Sequence, residues 1–241
     1  MPSYSARPGS QEEQVGRLII AAVLVLALPG LPLGNYVIFP FVILTTWFHE
    51  MGHGLTALLV GMDFNRLVIY PDGSGFAESR VAMDTPAVSS ALVAAGGPIG
   101  PALAGSLLIL ASSRHTLWRP ALLALVAVLA VSTLIWVRSA TGLIVLPLIA
   151  AALAWIAWRG RDGVKLFALQ FLGVLGAMSM FQDLDYLFSE AAYVGGRPML
   201  SDTGAMEAAL ILPHWIWAIL LTALCMGMVG ASLKYALARE G

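Results

Sequence analysis

Long apolar runs, separated by short polar or glycine- and proline-rich breaks, set the plan of this chain. They cover 18–28, 36–60, 87–111, 121–137, 143–158, 164–181 and 213–237. A helix needs roughly 20 apolar residues to cross a bilayer. The runs therefore predict an all-α polytopic membrane protein with six or seven transmembrane helices. The first run is short and stops at Pro29-Gly30-Leu31-Pro32. No A-x-A-like cleavage site follows it, so it is read as a retained span rather than a leader, or as a re-entrant segment. Residues 1–16 are polar and small, which predicts a disordered tail ahead of one membrane domain over 17–241.

Between the second and third runs the pattern changes. Leu67–Tyr70 is β-prone, Asp72-Gly73 is a strong turn pair, and Phe76–Val81 can return antiparallel. This predicts a small β-hairpin directly after the second helix. Its exposed edge has a use if an extended peptide must be held by strand addition, since a transmembrane helix otherwise hides its own backbone hydrogen bonds. A plain connecting hairpin accounts equally well for the spacing.

Composition agrees with the pattern. Hydrophobic residues make up 59% of the 241 and charged residues 11%, with a mean hydropathy of +0.84. That is too apolar for a water-soluble core to hide. A net charge of −1 gives no broad basic surface, which removes nucleic-acid binding from consideration. Cys225 is the single cysteine, so an intramolecular disulfide is excluded, and its apolar surroundings read as those of a small buried hydrophobe. With seven spans, lysine and arginine divide six against seven between the two faces, which leaves the orientation open.

The candidate chemistry lies late in the second run, at Phe48-His49-Glu50-Met51-Gly52-His53. On a helix, residues four apart are about 40° apart around the axis and roughly 6 Å along it, so His49 and His53 face one way and can grip one zinc ion. Glu50, at a neighbouring azimuth, is placed to take a proton from a water at the metal. A shuffled chain of this composition yields the HExxH pattern on the order of once in a thousand. Ionisable groups in a bilayer cost roughly 2.5–3.5 kcal/mol, so their presence there points to function. Catalytic zinc usually takes three protein ligands. Neither His115, in a short polar loop, nor His214, at the start of the last run, is well placed to be the third. Asp183, near the end of the sixth run, is the favoured carboxylate. Asp185 lies about 200° around a helix from it and reads as interfacial, and Asp202 reads first as a helix N-terminal residue.

These residues resemble the site-2 protease family of intramembrane zinc metalloproteases, in its small bacterial and plant branch. The resemblance rests on FHEMGHGLTALLVG at 48–61, YPDGSGF at 70–76, AAGGPIGPALAG at 94–105, FQDL at 181–184 and SDTGA at 201–205. It implies a three-helix core formed by a catalytic helix at 36–60, a Gly/Pro-broken helix at 87–111 and a third-ligand region at 164–187. It further implies Zn2+ held by His49, His53 and Asp183, with Glu50 as the general base and a membrane-embedded protein as the substrate. The chain departs from the family's N-x-x-P…D-G third-ligand pattern, because no Asn closely precedes Asp183 and no Gly follows it. Gly96, Gly97 and Pro98 are candidate substrate contacts, since Pro98 frees a backbone carbonyl, although small residues here also serve plain helix packing.

The expected activity is that of a zinc metalloendopeptidase in the lipid bilayer, in a multi-pass protein of a bacterial plasma membrane. One competing reading is an inactive membrane scaffold or chaperone that binds transmembrane segments. Another is a transporter, but the spans hold too little charge outside the motif and the 183/185 pair for a relay across the bilayer. Gly173 and Gly176, and Gly227 and Gly230, form small-residue stripes suited to internal packing or to a homo-oligomer.

Overall fold

The computed structural model describes residues 11–80, 82 and 84–238. Helix α1 spans Gln11–Ala27, and a single 3-10 turn at Leu28–Gly30 leads to α2, Gly34–Leu59. Pro29 lacks the N–H that would continue α1. The elbow is then set by Leu33, the one non-glycine residue with positive φ (64°) among the described residues. Gly34 follows because a Cβ there would lie 1.7 Å from the Leu28 carbonyl oxygen. The two helices meet at 119°, so they make one broken span or a re-entrant loop.

Five further helices are long and apolar enough to cross a membrane: α3 (Ala87–Ser112), α4 (His115–Ile135), α5 (Ala140–Arg159), α6 (Asp162–Gln182) and α9 (His214–Leu237). With the bent pair the total is at most six, the lower end of the expected six or seven; the first run is not a separate span, and the bend fits its reading as a re-entrant segment. The expected tail over 1–16 is also revised. Residues 11–16 belong to α1, and residues 1–10 lie outside the described residues.

Two seams of small residues hold the centre. In the α2–α3 seam a Cβ on Gly52 would fall 2.1 Å from the Gly96 oxygen, and one on Gly100 would fall 2.4 Å from the Phe48 oxygen. In the α3–α6 seam a Cβ on Gly105 would fall 2.6 Å from the Gly173 oxygen, and one on Gly176 would fall 2.7 Å from the Pro101 oxygen. Backbones this close gain dispersion energy that larger side chains would prevent. Gly173 and Gly176 therefore serve internal packing, whereas Gly227 and Gly230 meet nothing within 4 Å.

Strands β1 (Asp63–Ile69) and β2 (Gly75–Arg80) form the expected antiparallel hairpin, with an irregularity between Phe64 and Arg66. Phe64, Leu67 and Ile69 point into the core from β1. Its outer edge is docked on the α4–α5 corner, where the Leu67 N–H donates to the Trp136 carbonyl and the Arg138 N–H donates back to that of Leu67, each at 2.8 Å. Trp136 also stacks on Phe64 and donates its indole N–H to the Phe64 carbonyl. With β1 engaged on both edges, β2 keeps the open edge of the sheet.

A second hairpin was not expected from the sequence. After the short helix α7 (Leu184–Leu187), strands β3 (Ala191–Val194) and β4 (Arg197–Leu200) pair through a turn at Gly195-Gly196, both with positive φ. Helix α8 (Asp202–Ala209) follows and leads into α9. The two hairpin tips touch, with the Gly195 N–H donating to Ser74 Oγ at 3.1 Å.

Candidate metal centre

The HExxH residues sit two to three turns before the end of α2, against the N-terminal half of α3. His53 Nδ1 lies 2.7 Å from the Val93 carbonyl oxygen. That partner makes Nδ1 the protonated nitrogen and leaves Nε2 as the lone-pair donor, the usual arrangement for a metal-binding imidazole. His49 and His53 are 4.9 Å apart between ring centroids, as the four-residue spacing requires. Gly97 makes room for both rings, since a Cβ there would lie 2.2 Å from His53 Nε2 and 2.6 Å from His49 Nε2.

The carboxylate facing the two rings is Asp202. Its Oδ2 is 3.0 Å from His49 Nε2 and its Oδ1 is 3.1 Å from His53 Nε2. Ligand atoms of these three residues lie within 4.8 Å of one another. The sequence that places Asp202 is a helix start. Ser201 caps α8 by accepting from the Gly204 N–H at 3.0 Å, and its hydroxyl donates to the Ser189 carbonyl. Thr203 donates to the Leu187 carbonyl at 2.6 Å, and the Asp202 N–H donates to the Tyr186 hydroxyl at 3.2 Å. Asp202 is thus the first helical residue, held by neighbours on both sides.

Asp183, the expected third ligand, lies outside this group. It ends α6, and its Oδ2 accepts from the Ser179 hydroxyl at 3.3 Å. It lines the same cavity as His49 without facing both rings. Asp185 is exposed, as read. His115 pairs with Asp162, and His214 pairs with Glu207. Gly96, Gly97 and Pro98 are buried in helix packing: Gly96 abuts Gly52 and Thr56, Gly97 abuts the imidazoles, and the Pro98 carbonyl lies 3.7 Å from Cys225 Sγ. The Pro98 carbonyl therefore points into α9 and not toward a substrate groove.

Glu50 is 5% exposed and faces β2, where its carboxylate accepts the Ala77 backbone N–H and its side chain fills the space that a Cβ on Gly75 would take. Two cavities meet at this point. One, of about 270 Å³, is polar, with Thr46, Asp72, Ser74, Gln182 and Asp183 in its wall. The Asp72 carboxyl in that wall is held below its ordinary range by hydrogen bonds from the Ser74 hydroxyl and amide. The other, of about 300 Å³, is more apolar and runs between β2 and β4, past Phe76, Val93, Met199 and Leu200. His49, Glu50, Gly75 and Tyr186 line both. Tyr186 had no role assigned from the sequence. Its three-residue spacing from Asp183 sets both on one side of the turn, and both line the polar cavity.

The donor set fits a catalytic divalent metal. Two imidazole nitrogens and one carboxylate oxygen converge, and Asp202 Oδ2 is a buried atom without an aligned hydrogen-bond donor. Two His plus one carboxylate, with a position left for water, suits zinc. A family model described as Peptidase M50B-like matches residues 17–232. No curated protein and no solved structure matches the chain.

Proposed function

Because the chain belongs to the peptidase M50B-like family, we propose that it is a zinc-dependent endopeptidase that hydrolyses a peptide bond in or near a substrate transmembrane segment. The observation that carries this reading is the convergence of His49, His53 and Asp202 beside a buried Glu50 at the junction of a polar and an apolar cavity. A zinc ion held by those three residues would acidify a water and polarise the scissile carbonyl.

The protein's own groups supply the rest. Glu50 takes the proton of the attacking water and gives it to the leaving amine. Its burial keeps bulk water from competing for that proton, and the Ala77 N–H fixes its carboxylate. The His53 ring is oriented by the Val93 carbonyl, and Tyr186 orients Asp202 through its peptide N–H. The apolar cavity along the open edge of β2 receives the unwound substrate backbone as an added strand, and the polar cavity admits water from the opposite side. The substrate is a membrane-embedded protein segment, and the host membrane is a bacterial plasma membrane.

The test compares zinc content and cleavage of a transmembrane peptide in detergent for the wild type, Asp202→Ala, Asp183→Ala and Glu50→Gln. The expected result is about one zinc per chain in the wild type and in Asp183→Ala. Asp202→Ala loses the metal, and Glu50→Gln keeps it with at least a 100-fold loss of rate. Zinc without turnover in the wild type, against a panel of transmembrane substrates, would replace the enzyme with a membrane scaffold that binds such segments.

A further inference from the structure

The two cavities at the metal centre have five wall residues in common. His49 and Glu50 come from α2, Tyr186 from α7, and each hairpin supplies one more, Gly75 of β2 and Val194 of β3. One position closer to each hairpin tip stand Ser74 and Gly195, which are bonded to each other, the Gly195 N–H donating to Ser74 Oγ at 3.1 Å. Gly195 also packs on the Tyr70 ring, to which a Cβ there would come within 2.4 Å. The cavities thus form one groove, floored by the catalytic residues and walled by a hairpin on either side. The walls join at their tips, at the point where the two cavities meet.

The two walls are held differently. Strand β1 is fixed to the α4–α5 corner through Leu67, and its Ile69 N–H donates to Ser139 Oγ at 3.0 Å. The β3–β4 hairpin is anchored at its base, where the Ser201 N–H donates to the Glu190 carbonyl at 2.9 Å and Thr203 donates to that of Leu187. Beyond the base no residue of β3 or β4 is buried, and every residue of β4 is exposed. A hairpin with a firm base and a bare body, tied at its tip to Ser74 and Tyr70, opens more readily than the packed helices.

We propose that the joined tips are a clasp across the groove, which parts to admit an internal polypeptide segment and closes to hold it over the metal centre. The inference rests on the peptidase reading. An endopeptidase substrate continues on both sides of the scissile bond, so it runs from one cavity into the other beneath the tips. A free chain end can thread under a closed clasp. A segment flanked by folded domains cannot, and enters only sideways, after the β3–β4 hairpin has swung on its base. Opening is therefore a step that a transmembrane segment within a longer protein requires and a short peptide does not.

The test reads binding, not turnover. In the full chain carrying Glu50→Gln and Cys225→Ser, the replacements Pro71→Cys and Arg197→Cys put one thiol near each tip, at exposed positions outside the Ser74–Gly195 bond. A short, reductively cleavable bifunctional reagent joins the two thiols. Two fluorescent ligands share one transmembrane sequence: a free peptide in detergent, and the same segment fused at both ends to small folded domains. With the reagent in place, the doubly flanked segment is expected to associate about tenfold more slowly or worse, and the free peptide within about twofold of its normal rate. Cleaving the reagent restores the first. Equal association of the two ligands while the tips are joined overturns the proposal. Loss of both overturns it too, since the tips would then close the site rather than span it. A protein that binds neither ligand after cleavage removes the peptidase reading, and the clasp with it. Without the reagent, joint Ser74→Ala and Tyr70→Ala replacement is expected to release the doubly flanked segment severalfold faster while helical circular dichroism stays constant. An unchanged release rate overturns the clasp as a holding element.

Discussion

At the scale of single residues, the metal centre depends on what is missing as much as on what is present. Gly97→Ala would set a methyl group 2.2 Å from His53 Nε2, and is expected to lower zinc affinity at least tenfold in a chelator competition. Gly227→Ala, in open space, should leave affinity unchanged. Tyr186→Phe removes the acceptor of the Asp202 N–H and is expected to speed zinc release severalfold while the helical circular dichroism stays constant. The histidines and Glu50 were legible because their spacing is local and helical. The third carboxylate was not, for a physical reason: Asp183 and Asp202 are 19 positions apart and are both polar residues near a helix end. Only the fold back through β3 and β4 decides which of them faces the imidazoles. Ser201-Asp202 read correctly as a helix start, and that local role turned out to be the means of aiming the carboxylate rather than an alternative to it.

Among the elements, the long helices were legible from hydropathy to within a few residues at most ends, and the first hairpin from its Asp72-Gly73 turn. The second hairpin carried its own signal in Gly195-Gly196, masked by strands of only four residues in which Pro198 argues against pairing. The first hairpin is tied down through Trp136, so Trp136→Ala should cost about 1–3 kcal/mol. It should also raise hydrogen exchange of the β1 amides more than that of α2. At the α8–α9 junction the Glu207 carboxyl accepts from the His214 amide and bonds its ring, and these bonds hold its pKa below the ordinary carboxylate range. A carboxyl depressed in the folded state contributes stability above its unfolded pKa, about 4.3, and loses it as pH falls through the lowered value. Exchange of the α8 amides should therefore rise on acidification below about pH 4, and Glu207→Gln should flatten that rise.

For the whole molecule, apolar surface dominates. Helices α4, α5 and α9 present most of their length outward, including Leu134, Leu148 and Leu220. A multi-pass membrane protein follows from five or six such helices in a membrane peptidase family. The chain is expected to stay in the pellet after alkaline carbonate washing of membranes and to enter solution only with detergent. The sequence left six or seven spans open, because the first apolar run has a composition that permits crossing, and the structure holds five or at most six. What joins the first run to the second as one bent pair is the elbow at Leu33-Gly34, whose geometry no hydropathy window records.

The glycine seam between α2 and α3 has a consequence for how such proteins diverge. Where backbones touch at Gly52, Gly96 and Gly100, and where Gly97 underlies the imidazoles, nearly every replacement collides with main chain or with a ligand. The half of the molecule that holds the metal has little freedom to drift. The hairpins meet at their tips, where Gly195 packs on Tyr70 and bonds Ser74, and leave an apolar channel between them, so side chains along that channel can change at less cost. Lineages that acquire new targets would write the change into the channel-facing positions of β2 and β4, such as Phe76, Met199 and Leu200, while the helical seam stays the same. Exchanging hairpins between relatives should then move target choice without disturbing the catalytic helices.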